Sequence, residues 1–395
     1  MPILLYTYLL SEMIAPFLAS LAILCAILFL GRLLPLLELV IQFGISIPDF
    51  IRLCLYMTPN LLIFAIPMAS MLGVILCFSR MVNDNEMIAI KAAGIGLYRM
   101  LPPVIIFATC TTLLTGYAAT RLNPAGYIAI KKLMVSLATD KFTKGLTEKQ
   151  FSEGLNDVVF YIDGIDKETG EWQGIYVADN RDKENPLTIV AASGNFTGQP
   201  DNMLLSVTLN NGSIHQAEGV ISQTVQFRDY TLNVSLLNSK VAGGEKGVIS
   251  GKKEMSQKQL LAYAKTHDPD SEKSISRMIE YHKRLVLTGG CFILSLMGIP
   301  LAMRNRPGQR AVGMPLGLFF FVAYYICITA AKVASEGGVP VGLAMWMPNI
   351  VLFLFTIYLL HHAHREHTDD VLTHFLAIFL KIKRFIPRLG RGMSS

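Results

Sequence analysis

Six long apolar runs, three before and three after a single polar block, constrain this chain more than any other feature. They are Leu9–Leu37, Arg52–Phe78, Leu101–Ala119, Leu285–Met303, Val312–Val333 and Leu343–Leu360. Each approaches or exceeds the roughly 20 residues that a helix needs to cross a bilayer core. The polar block, from about Asn123 to about Lys283, reads as one soluble domain spliced between two membrane halves. Hydrophobic residues make up 52% of the chain, charged residues 16%, and mean hydropathy is +0.44, too apolar for an ordinary soluble globule. The expected fold class is therefore an α-helical membrane protein with six transmembrane helices and an inserted extramembrane domain.

The first run lacks a basic leader and a cleavage site followed by polar sequence, so it is expected to be retained as a span. Pro59 and Pro67 predict a kink in the second, and Pro102 and Pro103 fit the first turn of the third. Arg80, Lys91 and Arg99 lie between the second and third runs, Arg304, Arg306 and Arg310 between the fourth and fifth, and a basic tail follows the sixth. The positive-inside rule makes these sides cytoplasmic, so both termini fall inside and the polar block outside, in the periplasm of a bacterial cell. The net charge of +6 is accounted for by these run ends, and nucleic acid is not an expected partner. All six cysteines lie in apolar runs, which excludes a disulfide framework for the insert and any CxxC site.

Within the insert, period-2 alternation at Val158–Ile162, Gly174–Val177, Leu187–Val190, Leu204–Leu209 and Val220–Val234 predicts short strands. Turn chemistry at Asp163-Gly164, Thr169-Gly170 and Asn210-Asn211-Gly212 separates them. An all-β sandwich or jelly roll is expected. The glycine-rich stretch 241–251 reads as a linker, and Ser256 as the cap of a short helix reaching Lys265.

Ser79 to Gly94 predicts a short helix with an acidic start at Asp84 and Glu86, an apolar strip through Met87, Ile88 and Ile90, Lys91, and a glycine stop at Gly94. Such a helix between two spans either docks in a groove of another protein or only turns the chain at the interface. Arg32, about two-thirds along the first run, either binds an anionic headgroup or snorkels to the outer interface, paired with Glu38. Lys332 near the outer end of the fifth run has the same two readings. His361, His362, His364 and His367 lack a companion ligand at a recognised spacing and read as a polar cap rather than a metal site. The tail Val371–Arg388 reads as a basic amphipathic helix on an anionic leaflet. Gly247 to Lys253 does not have P-loop spacing, and no catalytic constellation is evident, so an enzyme is not expected.

Glu86-Met87-Ile88-Ala89-Ile90-Lys91-Ala92-Ala93-Gly94, Glu280-Tyr281-His282-Lys283-Arg284, Gly298-Ile299-Pro300-Leu301, Arg306-Pro307-Gly308-Gln309-Arg310 and Trp346-Met347-Pro348-Asn349 occur in that order. Together they resemble the LptF/LptG permeases over essentially the whole chain, and the last three motifs resemble the LptF side of the family more closely.

The resemblance implies one half of the membrane part of an ABC transporter that extracts lipopolysaccharide from the inner membrane and passes it to a periplasmic β-jelly-roll bridge. Expected partners are an LptG-like permease half, a cytoplasmic LptB-like ATPase dimer and an LptC-like membrane-anchored jelly-roll protein. ATP would be used by the ATPase, with no cofactor on this chain. The resemblance makes residues 82–94 the coupling helix, with Asp84, Glu86, Met87, Ile88, Lys91 and Gly94 at the ATPase interface. It places Arg32 toward the lipid, leaves Lys332 with its two readings as a second candidate for the headgroup, and puts Phe160, Ile162, Leu205 and Val207 on an apolar interior that receives the lipid. Met1 to Leu10 has no basic residue, a departure that puts an N-terminal headgroup contact in doubt. The expected division is residues 1–121 for three spans, 122–253 for the β domain, 254–283 for a linker helix, 284–362 for three spans and 363–395 for the tail. The rival expectation is a membrane-anchored scaffold or sensor whose β domain binds periplasmic partners without transport.

Overall fold

The computed structural model describes residues 2–43, 45–145, 149–153, 158–166, 171–180, 187–199, 204–218, 221–235, 251–266, 271–303 and 313–364. The loop around Arg304–Arg310, the stretch 241–250 and the tail beyond His364, with His367, lie outside them. In chain order the helices are α1 (Pro2–Phe43), α2 (Ile47–Asn83), α3 (Glu86–Ala92), α4 (Leu97–Tyr117), a π-helical stretch (Ala118–Leu122) and α5 (Asn123–Gly145). Strands β1 (Phe151–Glu153), β2 (Val158–Ile165), β3 (Trp172–Asp179), β4 (Leu187–Gln199), β5 (Leu204–Glu218) and β6 (Ile221–Ser235) follow. The chain returns through α6 (Gly251–Glu254), α7 (Gln257–Thr266), α8 (Glu272–Ala302), α9 (Gly313–Glu336) and α10 (Val341–His364). It forms two compact units, one within residues 1–27, 62–120 and 257–395, the other within 28–61 and 121–256.

Among the described residues, six helices are long and apolar enough to cross a membrane, matching the six expected runs. In the first unit α2 and α8 form the centre: 78% and 72% of their apolar windows are buried, against 17% for both α1 and α9. Lipid tails give no hydrophobic preference for helix against helix, so close packing and interhelical hydrogen bonds must hold such a core. Both are present. A Cβ on Gly298 of α8 would sit 3.0 Å from the Met71 carbonyl and the Val74 side chain of α2, and one on Gly73 would sit 3.0 Å from Phe17 Cβ of α1. Ser70 Oγ of α2 lies 2.9 Å from Thr111 Oγ1 of α4 and 2.6 Å from Ser295 Oγ of α8, joining three helices at a fully buried point. A second knot joins α8, α9 and α10: Tyr324 Oη donates to Asn349 Oδ1 at 2.7 Å, and Asn349 Nδ2 donates to the Val286 carbonyl at 3.0 Å. Tyr324 lies directly over Gly290, where any side chain would overlap the phenol.

The inserted domain is all-β, in one antiparallel sheet ordered β1-β2-β3-β4-β5-β6 among the described residues. This up-and-down order, which sequence could not supply, contrasts with the interleaved strands of a strict jelly roll. The sheet is creased. Asp163, Gly174, Ala192, Asn211 and Arg228 form a line across β2 to β6 at which no pair is made, although the register is unchanged on either side. Inward positions are two residues apart on each side of the line and three apart across it: Trp172 and Ile175, Ala191 and Gly194, Leu209 and Gly212, Phe227 and Tyr230. Gly174 (φ 61°) and Asn211 (φ 53°) supply the left-handed backbone at the line, which glycine and asparagine tolerate best. Such irregularities bend strands and curl a sheet.

Two expectations change. The polar block does not begin as β structure: α5 runs for 23 residues before the first strand. Tyr127, Ile130, Met134 and Ala138 recur at helical spacing and are buried, and the last three join one apolar cluster with Phe160, Ile162, Ile189 and Val207 of the sheet. Low overall hydropathy hides that stripe when windows are scanned for spans. The segment expected as one linker helix over 254–283 is instead α6, α7 and the start of α8, with Ser271 capping α8 through the Ser274 amide at 3.3 Å.

Gly290→Ala is expected to destabilise the purified protein by about 1–3 kcal/mol through overpacking against Tyr324, read as a lowered thermal midpoint. Gly31→Ala, where no atom lies within 4 Å of the added methyl, is expected not to lower it.

Candidate functional site

The elbow between α2 and α4 is built from the expected helix. Asn85 (φ 60°) turns the chain out of α2, and its carbonyl accepts from the Ile88 and Ala89 amides at 3.1 and 3.2 Å, opening α3. At the far end Gly94 (φ 78°) stops it: Ile95 N donates to Ile90 O at 3.3 Å and Gly94 N to Lys91 O at 2.9 Å, a Schellman arrangement that requires a left-handed residue at Gly94. The apolar strip divides between two faces. Met87 is 4% exposed and belongs to the apolar core, whereas Ile88 is 58% exposed, flanked by exposed Ala89, Lys91 and Ala92.

Polar groups lock this elbow to α1. Glu86 is half-buried and its Oε2 accepts from Tyr8 Oη at 2.8 Å; Arg80 donates to Glu12 at 2.6 Å and lies 3.4 Å from Asp84. Tyr8 and Glu12 were not legible as site residues, because hydroxyls and single carboxylates at the start of a span carry no pattern. The ring of His364, at the end of α10, lies 4.4 Å from that of Tyr98 in α4, while His362 stacks on Tyr358 at 6.2 Å.

The other candidates are dispersed. Arg32 is exposed on α1 and makes no ion pair among the described residues; the pairing with Glu38 is not formed, since their spacing puts them on different faces of the helix. Lys332 is 3.6 Å from Glu336, one turn along α9. Phe160, Ile162 and Val207 face the apolar side of the sheet, each 1% exposed, in the cluster that α5 also joins. The side chain of Leu205 lies outside the described residues. Ser206, on the opposite face from Val207, is nonetheless covered at 3% exposure and donates to Asn233 Oδ1 at 2.8 Å.

Three of the sequence motifs turn out to be packing devices. Glu280 and Arg284 form an ion pair at 3.2 Å with both side chains largely buried, Trp346 Nε1 donates to His282 Nδ1 at 3.2 Å, and Asn349 completes the knot with Tyr324 and Val286. Gly298 is the point where α8 meets α2.

Two sets of bilayer-length helices around an inserted β domain define a multi-pass membrane protein whose connecting helix between the second and third spans is anchored inward and apolar outward. The family model described as "Lipopolysaccharide export system permease LptF/LptG" matches residues 7–362, and the chain belongs to that family. It is 23% identical over 361 residues to the lipopolysaccharide export system permease protein LptF of Escherichia coli K12, covering 89% of this chain and 93% of that one. It is also 23% identical over 345 residues to an uncharacterized protein of Rickettsia prowazekii, covering 85% and 92%.

The two faces of α3 are expected to separate by mutation. Met87→Ala should cost about 2–5 kcal/mol, the usual loss for a buried large-to-small change, whereas Ile88→Ala should stay within about 0.5 kcal/mol of wild type. Chemical denaturation of the purified protein checks both.

Proposed function

We propose that this chain is a non-catalytic permease half that extracts lipopolysaccharide from the bacterial inner membrane and passes it toward a periplasmic bridge. Its termini are cytoplasmic and its β domain periplasmic. It works with an LptG-like second half, an LptB-like ATPase dimer that uses the ATP, and an LptC-like periplasmic jelly-roll partner; the chain itself binds no cofactor. The observation that carries this reading is a family match spanning both helix sets and the insert together, from residue 7 to 362.

The local chemistry supports each step. An exposed Ile88 beside the carboxylates of Glu86 and Asp84 offers an ATPase groove both apolar contact and charge. Arg32, exposed on a helix with few contacts in its own unit, has an uncompensated charge in a span, and a phosphate on the lipid or a partner helix would relieve that cost. The 15-residue β6 ends the sheet with an outer edge that no described strand occupies, a template for strand addition by another β domain. Phe160, Ile162, Leu205 and Val207 would meet acyl chains once the packed interior opens toward that edge.

Purification of the complex followed by mass spectrometry should recover an ATPase and lipopolysaccharide with this chain; recovery with periplasmic proteins alone would favour a scaffold. In that complex Arg32→Ala should lower the lipid retained per complex about tenfold, the equivalent of one charge-assisted hydrogen bond, and Arg32→Lys should restore part of it because the charge remains without the guanidinium fork. Equal retention in the three proteins would leave Arg32 an interfacial anchor.

A further inference from the structure

We infer that Tyr8 is a positioning residue that makes the start of α1 move with the α3 elbow, by holding Glu86 in place. The inference rests on the reading of α3 as the ATPase docking helix and adds the route by which docking reaches the first span.

Two successive turns of α1 are tied at this end of the molecule, Tyr8 to Glu86 of α3 and Glu12 to Arg80 in the last turn of α2. The ties are unequal. Arg80 is 53% exposed, so its pairing is screened by solvent and holds little. The phenol bond to Glu86 is sheltered and charge-assisted, and its 2.8 Å length is that of a well-formed bond. The start of α1 also packs into the helical core through Leu9, Met13 and Phe17, but such apolar contact is not directed at α3, whereas the phenol joins α1 directly to Glu86. A push on α3 reaches α2 through the chain, but it reaches α1 through side chains.

The same bond prepares Glu86 for a partner. Oε2 is taken by Tyr8, while Oε1 has no partner among the described residues. A cation arriving from the ATPase would meet a carboxylate whose rotamer is already fixed, with less ordering left to oppose binding. The carboxylate is then shared, one oxygen to the motor and one to α1.

The test uses the complex with its co-purifying ATPase, reconstituted in vesicles containing lipopolysaccharide, and reads lipid extracted per ATP hydrolysed. Tyr8→Phe keeps the ring and removes one oxygen; it should lower that ratio about tenfold, the worth of a hydrogen bond to a charged group. Glu12→Gln should change the ratio less than about twofold, as expected for a screened pair. The amount of ATPase recovered per complex should stay at the wild-type level in Glu12→Gln and fall by less than the extraction ratio in Tyr8→Phe, where the carboxylate must be ordered on binding. A wild-type ratio in Tyr8→Phe, or a loss no greater than that of Glu12→Gln, would overturn the inference while leaving the transport reading intact. If the wild-type complex holds no ATPase or extracts no lipid, the transport reading itself fails.

Discussion

The approach of α8 to α2 at Gly298 sets the geometry of the helical unit. A glycine there lets a backbone carbonyl, that of Met71, sit where a side chain would otherwise stand. That closeness brings Ser295 within 2.6 Å of Ser70, and Ser70 in turn reaches Thr111, so the third helix is fixed by the contact of the first two. Interhelical hydrogen bonds of this kind average about 0.6 kcal/mol each. Their value lies in selecting one rotation of each helix out of many that dispersion alone would accept.

Around that centre the chain separates what must be rigid from what must be available. α2 and α8 are buried on most sides, whereas α1 and α9 turn most of their apolar surface outward. Isolated in water such surface would drive aggregation; in a bilayer lipid tails cover it without penalty until a partner helix takes their place. The residues with chemistry to offer, Arg32 and Glu86, lie on α1 and on a helix tied to α1.

The layout of spans and insert was legible in the sequence because apolar length is a property of the chain itself, and the stop at Gly94 was legible because a left-handed cap demands glycine. The elbow's anchor and its exposed face were not separable, since Met87 and Ile88 are both apolar and only packing tells them apart. α5 was missed because its stripe is narrow and its remaining faces polar. The motif residues Asn349, His282 and Gly298 signalled the family and not the site: their partners stand on other helices, at separations that no local pattern encodes. Tyr8 had no signal at all, as its role exists only once α1 and α3 are neighbours.

The crease across the β domain carries a rule of its own. Each strand has a phase, the parity that decides which residues look inward, and that phase breaks at Asp163, Gly174, Ala192, Asn211 and Arg228 together. Because the break is shared, the strands stay matched edge to edge while the sheet bends. Removing one residue from a single strand at this line would therefore do more than shorten it: half of that strand would be turned inside out relative to both neighbours. Drift in length is thus forbidden to the strands one at a time, and a seventh strand added beside β6 must carry the same break in the same place to follow the sheet along its whole length.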